Sequence, residues 1–176
     1  DEALITVLGP VKKYYEDAND LSLVVMVEFG DTKFLFTGDM EQLAEDDMLD
    51  YWGEDMDFHA DVLKVGHHGS YTSTSYLFLR TVQPDFAVIQ CGRDNEYGHP
   101  HDEVLSRLHD AGVWTFRTDL QGDVTCTSNG SSVSFSVSRN WNADVFGDLG
   151  GNHSQPPATE APTAPPATEA PTQPPA

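Results

Sequence analysis

The chain has 176 residues, of which 29 are acidic and 9 basic, giving a formal charge of −20. Polyanion affinity comes mainly from Lys and Arg displacing counterions, so this balance excludes strong, charge-driven binding of nucleic acid by the chain itself. No apolar run approaches the ~20 residues that span a bilayer, and Asp1–Ile5 lacks the basic-then-apolar pattern of a signal peptide.

The first ~145 residues alternate apolar strands with amphipathic helices, the α/β pattern. Strands are predicted at Leu4–Leu8, Leu23–Phe29 and Lys33–Thr37, the last two joined as a hairpin by the short, glycine-led Gly30-Asp31-Thr32. A helix follows at Met40–Trp52, a strand at Asp61–Val65, a helix at Thr74–Val82 and a strand at Phe86–Gln90. The next helix, Pro100–Ala111, has proline in its first turn, Asp102 and Glu103 near the positive end of its dipole, and Gly112 as its stop. Its Val104, Leu105 and Leu108 are spaced for one buried face. Strands at Val113–Arg117, Asp123–Thr127 and Ser132–Val137 complete the run.

Residues 1–145 are therefore expected to fold and 146–176 to form a separate linker. In that linker Pro156–Thr163 (PPATEAPT) returns as Pro165–Thr172, and eight of the chain's eleven prolines lie there. Proline fixes φ and removes amide donors, so this disordered, Pro/Thr-rich tail is expected to be an extended spacer. Spacers of this composition are commonest in secreted or wall-associated proteins, which points to an extracellular or cell-surface location. Cys91 and Cys126 could pair or remain free, and their apolar neighbours favour packing as small hydrophobes.

Three segments share one construction: a strand runs into glycine and then into a potential metal ligand. They are Phe34–Thr37 before Gly38-Asp39, Val62–Val65 before Gly66-His67-His68-Gly69-Ser70, and Phe86–Gln90 before Gly98-His99-Pro100-His101. Loops after the carboxyl ends of aligned strands gather along one sheet edge, which would bring Asp39, His67, His68, His99 and His101 together. A carboxylate with imidazoles suits zinc, manganese or iron, and such an ion generates hydroxide near neutral pH. The simpler alternatives are that Asp39 caps the helix beginning at Met40 and that the histidines occupy solvated turns. His59 and His109 are expected to face solvent, as is the acidic run Glu45-Asp46-Asp47 with Asp50, Glu54, Asp55 and Asp57.

Leu21–Asp39, Ala60–Ser70 (ADVLKVGHHGS), Tyr97–His101 (YGHPH) and Arg117–Asp119 with Gly122 together resemble the metallo-β-lactamase-fold hydrolase domain of the ComEC type, found in bacterial competence DNA-uptake proteins and in secreted stand-alone relatives. The resemblance covers roughly Leu4–Thr127. It implies the C-terminal part of a four-layer αβ/βα sandwich with one or two divalent metal ions, zinc or manganese. Asp39 and His67 would be metal ligands, His68 would lie beside the site, and His99 and His101 would contact substrate or shuttle a proton. The implied activity is that of a phosphodiesterase or nuclease in which metal-bound hydroxide attacks a small or polymeric phosphodiester. The family's H-x-H-x-D-H motif does not occur in the sequence, so the remaining ligands are expected upstream of Asp1. Two alternatives are a non-catalytic binding module of the same fold on the cell surface and a soluble domain of a DNA-uptake machine.

Overall fold

The computed structural model describes residues 2–149; the proline-rich repeat lies outside these residues. A six-stranded sheet has the order β1 (Leu4–Gly9), β2 (Val24–Phe29), β3 (Thr32–Phe36), β4 (Val62–Lys64), β5 (Phe86–Ile89) and β6 (Trp114–Arg117). β1, β2 and β3 are antiparallel neighbours, whereas β3 to β6 run parallel, with Phe36 beside Lys64 and Lys64 beside Val88. The β2–β3 hairpin and every predicted strand are present, with no end shifted by more than one residue.

Side-chain alternation divides the sheet into two faces. Leu35, Leu63, Val65, Ala87 and Ile89 point to one, where α1 (Gln42–Trp52), α2 (Tyr76–Val82) and α3 (Asp102–Asp110) cover them with Ala44, Met48, Phe78, Leu79, Val104, Leu105 and Leu108. Phe34, Val62, Phe86, Val88 and Phe116 point to the other, where the hairpin of β7 (Val124–Ser128) and β8 (Val133–Val137) packs Phe135 against them. Strands buried on both sides are what crossover helices require of a parallel sheet. The hairpin's tip docks on the β2–β3 turn: Asp31 N donates to Gly130 O at 2.6 Å, and a Cβ on Gly30 would collide with that carbonyl. On the hairpin's side of the sheet, towards β1, Ile5, Val7 and Phe36 remain 64%, 55% and 46% exposed.

Three expectations are corrected. Glu45 is not solvated but 1% exposed, because its carboxylate accepts the amides of Thr74 and Ser75 ahead of α2. Burial raises its pKa, against the pull of those hydrogen bonds. His109 does not simply face solvent: its ring meets Phe146 edge-on at 5.3 Å. Phe146 itself is fully buried and a 3-10 turn follows at Gly147–Leu149, so packing continues past residue 145. Cys91 and Cys126 are half-buried free thiols packed against the two apolar clusters, as expected.

Arg117, at the end of β6, is 4% exposed. Its Nε and Nη2 donate to the two oxygens of Asp119 at 3.2 and 2.8 Å, and Nη1 donates to Val145 O at 2.9 Å. Asp119 opens α4 (Thr118–Gln121), a short helix that the sequence reading does not include. Burial pushes the Asp119 carboxyl upward, but the Arg117 hydrogen bonds and charge outweigh it and hold the pKa below its ordinary value. A lowered folded-state pKa contributes stability above the unfolded value of about 3.9 and loses it as pH falls through the folded value. Asp119→Asn is therefore expected to destabilise by about 2 kcal/mol at neutral pH, since it removes the carboxylate that accepts two charged hydrogen bonds from Arg117. Urea unfolding should show the gap between wild type and variant shrinking below about pH 4.

Candidate metal centre

Because β3, β4 and β5 are parallel and in register, their carboxyl ends release three loops along one edge. The first carries Thr37-Gly38-Asp39, with the Asp39 amide donating to Ser22 Oγ at 2.9 Å. Asp39 is not a helix cap: α1 starts at Gln42, and the residue preceding it is Glu41. The second loop is a tight turn over Gly66–Gly69, tied to the first by His67 N donating to Gly38 O at 3.1 Å. The third leads through Asn95 to His99-Pro100-His101, tied to the second by His101 N donating to Gly69 O at 2.9 Å.

His67 and His68 both occupy the left-handed region, with φ of 44° and 54°. Consecutive non-glycine residues there carry backbone strain, and the turn aims the two imidazoles at different partners. His68 Nδ1 lies 2.7 Å from Gln90 O, and a carbonyl can only accept, so Nδ1 carries the proton. In the neutral ring Nε2 then holds a lone pair, and it faces Asp39 Oδ1 at 3.4 Å. These side chains are 47% and 42% exposed, open to a ligand from solvent. His67 turns the other way: its Nδ1 lies 3.1 Å from Glu41 Oε1, which also accepts from Thr72 Oγ1. A carboxylate on one imidazole nitrogen fixes the tautomer and leaves Nε2 as the available donor atom.

His101 has the opposite tautomer, since its Nδ1 accepts the Tyr71 amide at 3.1 Å. The His99 ring bridges the set, 5.6 Å from His67 and 4.8 Å from His101. Burial lowers the His99 pKa, and the neighbouring imidazoles His101, His67 and His68 add to the effect, favouring the neutral ring. Thus His67, His99 and His101 form one aromatic chain, while Asp39 pairs with His68. A cleft of about 370 Å³ opens beside them, lined by His68, Gln90, Cys91, Asn95, Tyr97 and His99.

Asp39 and His68 have the donor chemistry of a divalent-metal site, a carboxylate oxygen and an imidazole nitrogen with its tautomer fixed. They are two donors where zinc takes at least three from protein. Among the described residues no group of three or more His, Cys, Asp or Glu side chains is placed to hold a metal ion. Glu41 and the left-handed turn were absent from the sequence reading. Glu41 carries no motif of its own, and nothing local announces a left-handed His-His pair except the glycines around it.

Residues 1–93 match the metallo-beta-lactamase superfamily. The chain is 37% identical over 131 residues to ComE operon protein 3 of Bacillus subtilis, covering 74% of this chain and 16% of that protein. It is 37% identical over 115 residues to competence protein ComA of Neisseria gonorrhoeae, covering 65% of this chain and 16% of that protein. It is 41% identical over 103 residues to recombination protein 2 of Haemophilus influenzae, covering 58% of this chain and 12% of that protein. The chain thus spans about one-sixth or less of the length of these curated relatives. Among the described residues no helix is long and apolar enough to cross a membrane.

The joint between the second and third loops is tested at Gly69. Its φ is +85°, and a Cβ there would lie 2.7 Å from Pro100 Cβ. Gly69→Ala is expected to destabilise by about 1–3 kcal/mol through the backbone conformation, with the clash adding to it. Urea unfolding measures the loss, and two-dimensional NMR of the imidazoles should show His99 and His101 displaced.

Proposed function

The chain belongs to the metallo-beta-lactamase superfamily, in its ComEC-type competence branch, and from that membership we propose that it forms part of a metal-dependent phosphodiesterase or nuclease in which Asp39 and His68 hold a divalent cation, zinc or manganese. The observation that carries this reading is the 3.4 Å approach of His68 Nε2 to Asp39 Oδ1. Two lone pairs facing each other repel unless a cation or proton lies between them. Their separation matches neighbouring ligands on a tetrahedral zinc, which lie about 3.3 Å apart for bonds of about 2.0–2.1 Å. His68 is taken in place of His67 as the ligand partnered with Asp39 in this reading because its Nε2 faces the Asp39 carboxylate, whereas the His67 ring lies against His99.

A bound cation supplies an activated water and stabilises charge developing on phosphoryl oxygens. Glu41 holds the His67 proton on Nδ1, so that Nε2 can accept one. His99 and His101 present further imidazoles along the same edge for substrate contact and for passing a proton to the leaving oxygen. The remaining ligands come from a segment outside these residues, and the exposed apolar side chains Ile5, Val7 and Phe36 supply a face for that segment to cover. The names of the relatives, which refer to competence and recombination, support a nucleic-acid phosphodiester as substrate and a role in DNA uptake at the cell envelope. The tail's spacer-like composition supports a cell-surface setting.

In the full-length protein, His68→Ala and Asp39→Ala are expected to lower hydrolysis of bis(p-nitrophenyl) phosphate by about 100-fold or more. Both should also reduce bound metal, counted by elemental analysis. His67→Ala should keep the metal and lose rate. Retention of wild-type metal by His68→Ala, with loss in His67→Ala, would overturn the ligand assignment. A full-length wild type with neither metal nor turnover would instead be a non-catalytic binding module of the same fold.

A further inference from the structure

Beside Asp39 and His68 stands an aromatic surface that hydrolysis alone does not require. The Tyr97 ring is 77% exposed, yet it does not hang free. It stacks on His99 with centroids 5.6 Å apart and planes 25° from parallel. The loop bearing it is closed by the Asn95 side chain and by Gly98 N donating to Asn95 O at 3.2 Å. Asn95 Oδ1 accepts from His99 N at 3.0 Å, while Nδ2 donates to His99 O at 2.6 Å and to Gly92 O at 2.9 Å. Such a clamp settles the entropy of presenting the ring when the chain folds, before any ligand arrives. Tyr97, Asn95 and His99 line the same cleft as His68, so a ligand on the ring has its neighbouring groups beside the Asp39–His68 pair.

The geometry selects among ligands. A quaternary ammonium is held by rings set around it as a cage, whereas a nearly parallel pair such as Tyr97 and His99 continues most favourably into a third flat ring. Nucleobases stack on exposed aromatic side chains in this way, with little dependence on which base is present. The chain's charge of −20 offers a polyanion no general attraction, so a local, uncharged contact is what could hold such a ligand in register. We propose that Tyr97, backed by His99, is a stacking platform for a nucleobase, and that the ligand of this site is therefore a nucleotide-bearing phosphodiester. The inference rests on the phosphodiester reading above for what lies beside the base.

Binding is measured by calorimetry with the full-length protein at 0.15 M salt, using thymidine 5′-monophosphate, 2-deoxyribose 5-phosphate, phosphocholine and an octathymidylate. The thymidine nucleotide is expected to bind about 5- to 150-fold more tightly than its base-free counterpart, the range that one base–aromatic stack supplies. Tyr97→Ala should abolish that ratio and Tyr97→Phe should retain it, since the ring and not the hydroxyl does the stacking. A further gain of more than tenfold with the octathymidylate marks a strand as the source of the base. Equal affinity for octamer and monomer marks a free nucleotide; both outcomes support the platform. Equal affinity for thymidine monophosphate and deoxyribose phosphate in the wild type overturns it, as does tighter binding of phosphocholine. Base-dependent binding without turnover of bis(p-nitrophenyl) phosphate would remove the hydrolytic reading and leave the platform standing. Turnover without base dependence would do the reverse.

Discussion

The parallel register of β3, β4 and β5 is the constraint on which the site depends. A parallel strand pair needs a crossover between its members, and the crossovers containing α1 and α2 cover one sheet face while returning the chain to start each strand at the same end. Every strand must then finish at the opposite edge, and whatever residues follow it gather there. With Phe36, Lys64 and Val88 side by side, the loops beginning at Thr37, Val65 and Gln90 leave from one line. Residues about thirty positions apart in the chain, Asp39 with His68 and His67 with His99, thereby meet, and the apolar packing on both faces keeps the line from slipping.

Loops released from such an edge still need to be held, and here the buried polar groups act. Glu45 reaches from α1 to the amides of Thr74 and Ser75, anchoring the far end of the segment that begins with His67. Arg107 on α3 donates to the carbonyls of Tyr71, Ser73 and Thr74, gripping the same segment from the other side. Neither residue approaches the cleft. Their effect is to fix the backbone that carries two histidines in a left-handed conformation, which is a strained state that surroundings must over-determine. The same logic extends to Asn95 on the third loop and to Glu41 behind His67. Each imidazole of the cluster that has a defined tautomer owes it to a partner supplied by a different loop or strand end.

These dependencies explain what could be read from the sequence. Strand and helix identities were legible because they are local: alternation in Val24–Phe29, the Val104-Leu105-Leu108 stripe and the Pro100 and Gly112 punctuation need no tertiary information. The convergence of Asp39, His67, His68, His99 and His101 was legible too, since a repeated strand-glycine-ligand pattern implies it once the strands are parallel. Which histidine turns towards Asp39 was not. That choice depends on backbone torsions at residues 67 and 68 and on whether Glu41 or Gln90 is the nearer acceptor, neither of which has a signature in residue type. Glu45 was misread for a related reason: it sits in an acidic run on an amphipathic helix, and only the unsatisfied amides at the start of α2 make its burial favourable. His109 belongs with it, because the residue it meets, Phe146, lies 37 positions away beyond three further strands.

The distribution of the few cations bears on how an anionic ligand is held. Lys12 and Lys33 are paired with carboxylates on the surface, Arg117 is buried against Asp119, and Arg107 and Arg139 are engaged with backbone carbonyls. Lys64 donates to its neighbour's carbonyl, and burial lowers its pKa despite the pull of Asp39. The cations are thus largely spent on holding the fold. On the reading proposed above, attraction of a phosphodiester to this edge would come from a cation held by Asp39 and His68, with the exposed, uncharged Tyr97 ring beside it.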